Sequence, residues 1–228
     1  MTVEEILNEL KSLSTPEHFE KLSYFGIKDE KAFGVKIPLV RQLAKKIGKN
    51  HELAQLLWKT EVHEARILAT FIDNPKQVTE NQFESWVGDF NSWDVCDQCC
   101  SLLIKTPFAL SKIEIYASAK EEFVKRTAFV LMCALVINDK KANDDMFYPF
   151  FGLIEREAWD ERNFVRKAVN WALRQIGKRN EALRIKAIEC GERILAQDSK
   201  SAKWIANDAL RELRSEKIID YVSKRKIY

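Results

Sequence analysis

Glycine and proline are scarce, at seven and five among 228 residues. No alternating Val/Ile/Thr run bounded by turn pairs occurs either, so strands have little support against repeated segments of 3.6-residue period. An all-α fold follows. A long apolar run is also missing: the longest, Ala128 to Ile137, is ten residues, half of the roughly 20 that span a bilayer. The amino terminus, Met1-Thr2-Val3-Glu4-Glu5-Ile6-Leu7-Asn8-Glu9-Leu10, is acidic and amphipathic, without the basic start and apolar stretch of a secretion signal. A soluble, cytoplasmic chain with no membrane partner is expected. Cysteines number five, an odd count, with Cys96, Cys99 and Cys100 close together. No second pair follows at zinc spacing and all three histidines lie upstream, so reduced core thiols are expected, with neither metal nor other cofactor.

What is present is clustered charge. The formal net charge is only +3, but between Arg162 and Lys186 eight basic residues face one acid, Glu181. The stretch from Asp139 to Glu161 before it is acidic, and the tail adds Lys217, Lys224, Arg225 and Lys226. Segregation of this kind points to a phosphate backbone as partner. Helix-start and helix-stop chemistry falls at Ser14-Thr15-Pro16, Gly34 to Pro38, Gly48-Lys49-Asn50, Asp73-Asn74-Pro75, Phe90-Asn91-Ser92, Thr106-Pro107, Asp139 to Asn143 and Gln197-Asp198-Ser199. None is long enough for a linker, which gives a single domain over 1–228 of roughly a dozen helices. Glu122-Phe123-Val124-Lys125-Arg126 and Asn163-Phe164-Val165-Arg166-Lys167 superimpose at a separation of 41 residues, with a degenerate copy near Val62-His63-Glu64-Ala65-Arg66. That period belongs to helical-pair repeats. The expected architecture is an α-solenoid of HEAT-like repeats with a concave basic face.

Two segments carry residues placed for chemistry. On a helix from Asn163 to Arg179, Val165, Ala168, Val169, Ala172 and Ile176 share one face, whereas Lys167, Trp171, Arg174 and Lys178 fall on the other. An indole among three cations suits a ligand both anionic and flat; packing against a neighbouring helix is the plain alternative. Trp93 and Asp97 stand one turn apart, off the stripe of Val95, Cys96, Cys99, Leu102 and Leu103. Asp94 lies near the helix start and reads as a charge stabilising the amino end, which leaves Asp97 as the functional carboxylate. Arg126 opens a helix that is apolar almost all round, so it needs a partner, and Asp97 is the expected one. A basic groove, two tryptophans and an ionised aspartate fit hydrolysis of the N-glycosidic bond of an alkylated purine. The base already carries positive charge, so no general acid is needed and one carboxylate directing water suffices.

Trp93-Asp94-Val95-Cys96-Asp97 resembles the Trp-Asp-x-Val-Asp of the AlkD-type DNA alkylation repair family of HEAT-like glycosylases. Lys125-Arg126-Thr127-Ala128 is similar to that family's Arg-Ala-Ala segment, and Lys167-Ala168-Val169-Asn170-Trp171-Ala172-Leu173-Arg174 to its Lys-Ala-Ile-Gly-Trp-Val-Leu-Arg. The resemblance implies Asp97 as catalytic carboxylate, Trp93 and Trp171 against the damaged nucleotide, and Arg126 and Arg174 supporting site and phosphates. Arg162, Arg166, Lys167, Lys178 and Arg179 join Arg174 as expected DNA contacts, and Tyr24 or Phe25 matches an aromatic near the start of the family pattern. It further implies duplex DNA carrying N3- or N7-alkylated purines as substrate, bound without drawing the base into a deep pocket, by a monomer. One departure is Ser92, where well-known members carry a second tryptophan. Two rivals remain from the residues: a module of the same fold that binds distorted nucleic acid without cleaving it, and a repeat scaffold for protein partners.

Overall fold

The computed structural model describes residues 1–27 and 31–224; Arg225 and Lys226 of the basic tail lie outside the described residues. Among these, fourteen α-helices and no strand are found, so the all-α class holds. The helices cluster into two compact units that divide after Phe108, beside the break predicted at Thr106-Pro107. The first unit holds α1 (Val3–Ser12), α2 (Pro16–Tyr24), α3 (Ile37–Ile47), α4 (His51–Lys59), α5 (His63–Ile72), α6 (Glu80–Gly88) and α7 (Trp93–Leu103). The second holds α8 (Ala109–Ala117), α9 (Glu122–Asn138), α10 (Tyr148–Glu157), α11 (Asn163–Gly177), α12 (Glu181–Leu195), α13 (Lys200–Leu213) and α14 (Glu216–Ser223), with a 3-10 turn at Asp144–Met146.

Local chemistry sets these boundaries. Thr15 caps α2 by accepting the His18 N–H, with Pro16 supplying a first residue that needs no donor. Asn50 and Asn180 do the same for α4 and α12 through the N–H groups of Leu53 and Leu183. Every predicted break falls between helices or in a first turn. The helix count exceeds a dozen because five further breaks carry neither proline nor glycine; at one of them Glu61 turns the chain with a left-handed φ of 59°.

In the first unit α5 packs on α3, α4 and α7; in the second α9 packs on α8 and α11, and α12 on α13. Every residue of α9 from Lys125 to Val136 is buried, as its unbroken apolar run requires. Side chains as large as Phe129 each contribute about 1.5–3 kcal/mol there. Phe123 and Phe164, equivalent in the 41-residue repeat, stack at 5.5 Å with an interplanar angle of 30°. The repeat is therefore a contact as well as a pattern. No described helix is long and apolar enough to cross a membrane.

Candidate functional site

In the first unit, Trp93 opens α7 and Asp97 follows one turn later; both are half-buried. Trp93 packs against Leu22, Ile27 and Ala32, and its Nε1 donates to the Phe25 carbonyl at 3.0 Å. That bond sets the indole beside Tyr24 and Phe25, whose own rings meet edge to face at 5.4 Å. Tyr24 is 85% exposed, so it is open to a ligand.

Buried polar groups fix the start of α7. Asp94 accepts the Val95 N–H at 3.0 Å, as a carboxylate at a helix start should, and its other oxygen lies 2.9 Å from His63 Nε2. The adjacent Glu64, also buried, accepts the N–H groups of Phe33, Gly34 and Val35 at 2.8, 2.7 and 3.0 Å. Gly34 is required there, because its φ is +79° and a Cβ would lie 2.7 Å from the Phe19 backbone. Thus the first two residues of α5 fasten both α7 and the segment leading into α3. Sequence reasoning missed them, although the signal was the one applied to Arg126: ionisable residues opening an apolar helix need partners. Ser92, which precedes Trp93, is buried; its side chain does not line an open surface.

Also missed was a basic cavity of about 370 Å³, where Arg41, Lys45 and Lys49 converge with Gln98 and Ser101 of α7 and no acid joins the lining. Arg41 donates to Gln98 Oε1 at 3.2 Å. Lys49 Nζ holds the Phe71 and Asp73 carbonyls at 3.0 and 2.6 Å, and burial, helped by the charge of Lys105, lowers its pKa. These cations are not consecutive, so they form no run in the sequence. The i, i+4 spacing of Arg41 and Lys45 was the available signal.

In the second unit Arg126 is buried and donates through Nη1 to the Phe164 carbonyl at 2.7 Å. On α11, Trp171 is half-buried. Most of the predicted DNA-binding cations have internal partners. Arg174 and Lys178 both reach Glu212, at 2.7 and 3.0 Å; Arg162 grips both oxygens of Asp160; Arg179 lies 3.6 Å from Asp144 and caps the Asp139 carbonyl. Arg166 stacks 4.9 Å over Trp204. Lys167 is exposed and has no ion pair among the described residues. Burial would raise the carboxyls of Glu212 and Asp160, but bonds from Lys178 and Arg174 to the first, and from Arg162 and Lys125 to the second, outweigh it and leave both lowered. The excess counted between Arg162 and Lys186 is offset by acids that fall outside that stretch.

The repeat alignment pairs Lys125 with Arg166 and Arg126 with Lys167; that such cations lie against indoles had no counterpart in the sequence reading. The fourth residue of α5, α9 and α11 is a cation lying against an indole: Arg66 on Trp58 at 5.3 Å, Lys125 on Trp159 at 5.3 Å and Arg166 on Trp204 at 4.9 Å. The fifth residue of α7, α9 and α11 is Asp97, Arg126 and Lys167. Asp97, Arg126 and Lys167 thus share one position counted from a helix start.

The model of the family described as DNA alkylation repair enzyme matches residues 6–213. The chain belongs to that family. Its fold matches, at a TM-score of 0.80 and 19% identity over 100% of this chain and 99% of the other, a protein of a new family related to the HEAT-like repeat DNA glycosylases with affinity for branched DNA structures. A designed armadillo repeat protein is matched at a TM-score of 0.37 and 15% identity, over 90% of this chain and 98% of that one. No curated protein matches significantly. Trp93, Asp97, Arg126 and Trp171 all lie within the matched residues. Among the described residues no group of three His, Cys, Asp or Glu side chains could hold a metal ion.

Proposed function

We propose that the protein is a DNA glycosylase that removes positively charged N3- or N7-alkylated purines from duplex DNA, acting as a monomer in the cytoplasm. The observation that carries this reading is the pair of Trp93 and Asp97, one turn apart and half-buried on a helix whose start is fixed by a buried carboxylate. Asp97 accepts a hydrogen bond from water and directs its oxygen at C1′ of the damaged nucleotide. As the C–O bond forms, the N-glycosidic bond breaks and its electron pair goes to the base, which departs neutral. The proton of the water passes to Asp97 and then to solvent, leaving an abasic site. Trp93 offers an indole face to the cationic nucleotide and the carboxylate stabilises the oxocarbenium-like sugar; the family resemblance adds Trp171, Arg126 and Arg174 as supports of the nucleotide and phosphates. Lys167 with Arg41 and Lys45 supplies phosphate contacts. Discrimination comes from the lability of the cationic base, so neutral lesions are poor substrates.

The test is release of N7-methylguanine from methylated duplex DNA under single-turnover conditions by the wild type and by Asp97→Asn. A loss of about 100-fold or more in the variant is expected, the scale of removing an electrostatic stabiliser. The second reading is a non-catalytic module that binds distorted DNA, favoured by the affinity of the structural relative for branched DNA and by Ser92 in place of a second tryptophan. No release by either protein, with salt-sensitive DNA binding intact, selects it.

A further inference from the structure

We infer that an open cleft around Trp159 binds an unpaired nucleotide of DNA. The cleft, about 1110 Å³, lies between the loop after α8, the loop after α10 and the first turn of α13. It contains none of the residues assigned to excision. The inference rests on the proposed DNA binding, but not on cleavage.

The base of the cleft is rigidly built. Lys125, 5% exposed, is held by Glu157 at 2.8 Å and Asp160 at 3.2 Å and lies 5.3 Å from the Trp159 ring centroid. Arg162 grips Asp160 from the other side and reaches the Lys120 carbonyl. Ser199 and Ser201 of the α13 start donate to the Trp159 and Asp160 carbonyls at 3.4 and 2.7 Å. Trp159 is therefore fixed at its backbone and along one ring face, yet it is 56% exposed. Of the three indoles that carry a fourth-position cation it is the most open, since Trp58 is 3% and Trp204 39% exposed.

An anchored indole open to water, inside a cavity, is a stacking platform. The rim gives the charge of its occupant. Five cations and three acids line the cleft, and one of those acids, Asp160, is already engaged by Lys125 and Arg162. Lys120 and Lys200 make no ion pair among the described residues, and Lys203 has only a solvent-exposed pair with Asp198. A flat group with a phosphate beside it meets both features. Within a duplex the base faces are covered by their neighbours, so the platform accepts a base that has left the stack: a single-stranded tail, a gap or the strand exchange point of a branch.

The test is fluorescence anisotropy with a blunt duplex and with the same duplex carrying a short single-stranded tail. The wild type should prefer the tailed DNA. Trp159→Ala should lose about tenfold on the tailed DNA and nothing on the blunt one, Trp159→Phe should restore most of the loss, and Lys200→Glu with Lys203→Glu should weaken tail binding and flatten its salt dependence. Equal behaviour of Trp159→Ala and wild type on both DNAs, or equal losses on both, overturns the inference. Excision is read in parallel. A wild type that excises, with a tail preference indifferent to Trp159, removes this inference alone. A wild type that does not excise but shows Trp159-dependent tail binding keeps it and removes the glycosylase reading.

Discussion

His63 touches no substrate in the proposed reaction, yet its bond to Asp94 governs where Trp93 and Asp97 stand. Replacing it with phenylalanine keeps the bulk and leaves a buried carboxylate oxygen without its partner, at a cost of about 1–3 kcal/mol. His63→Phe should lower the thermal midpoint of the folded protein, as followed by circular dichroism. It should also slow base release in single-turnover assays while DNA affinity stays near that of the wild type; unchanged release would show that α7 is held without it. Trp93 and Asp97 were legible in the sequence because helix geometry alone places residues four apart on one face. Their supports were not, since His63 lies 31 positions from Asp94 and Phe25, which receives the indole N–H, 68 from Trp93. Such contacts are decided by tertiary packing.

Among the elements, α11 shows how a strongly basic segment becomes a paired one. Its stripe and its tryptophan follow from a period of 3.6 residues and were readable as such. The acids that meet its cations were not, because Glu212 and Asp208 come from α13 and the helical wheel of one segment carries no information about the next. Arg174 and Lys178 hold the Glu212 carboxyl below the usual range against the effect of its burial. The folded state therefore binds fewer protons than the unfolded chain at acidic pH. The stability from this group is complete above the unfolded carboxylate value, about pH 4.3, and is lost as pH falls through the lower folded value. Glu212→Gln should thus be less stable than the wild type at neutral pH, with a shallower loss on acidification, measured by urea unfolding across the acid range. Identical acid limbs would show that the cations carry no such linkage. The helix breaks divide along the same line: side-chain caps and prolines are written locally, whereas turns such as that at Glu61 are imposed by the packing on either side.

For the molecule as a whole, the net charge of +3 is a poor guide to DNA contact, because what counts is which cations remain available. The cavity of Arg41, Lys45 and Lys49 contains no acid, while most of the predicted cations from Arg162 to Arg179 already have partners. Each phosphate neutralised contributes about 0.9 to the slope of log affinity against log salt. Arg41→Ala with Lys45→Ala should reduce that slope by about two, and Arg174→Ala by less than one, in titrations of undamaged duplex. The reverse order would return phosphate binding to α11. The all-helical repeat class was legible because scarce glycine and proline, the 3.6-residue period and the 41-residue spacing agree. The division after Phe108 was not, since no linker composition marks it.

The tryptophans divide evenly across that boundary, with Trp58, Trp86 and Trp93 before it and Trp159, Trp171 and Trp204 after it. Trp58 and Trp86 stack at 4.0 Å, and Trp58, Trp159 and Trp204 each lie against a cation, so their light emission depends on the packing around them. Replacing the three indoles of one half by phenylalanine leaves a chain whose fluorescence comes only from the other. Two such chains, unfolded side by side, time each half separately and reveal whether the protein comes apart in one event or in two.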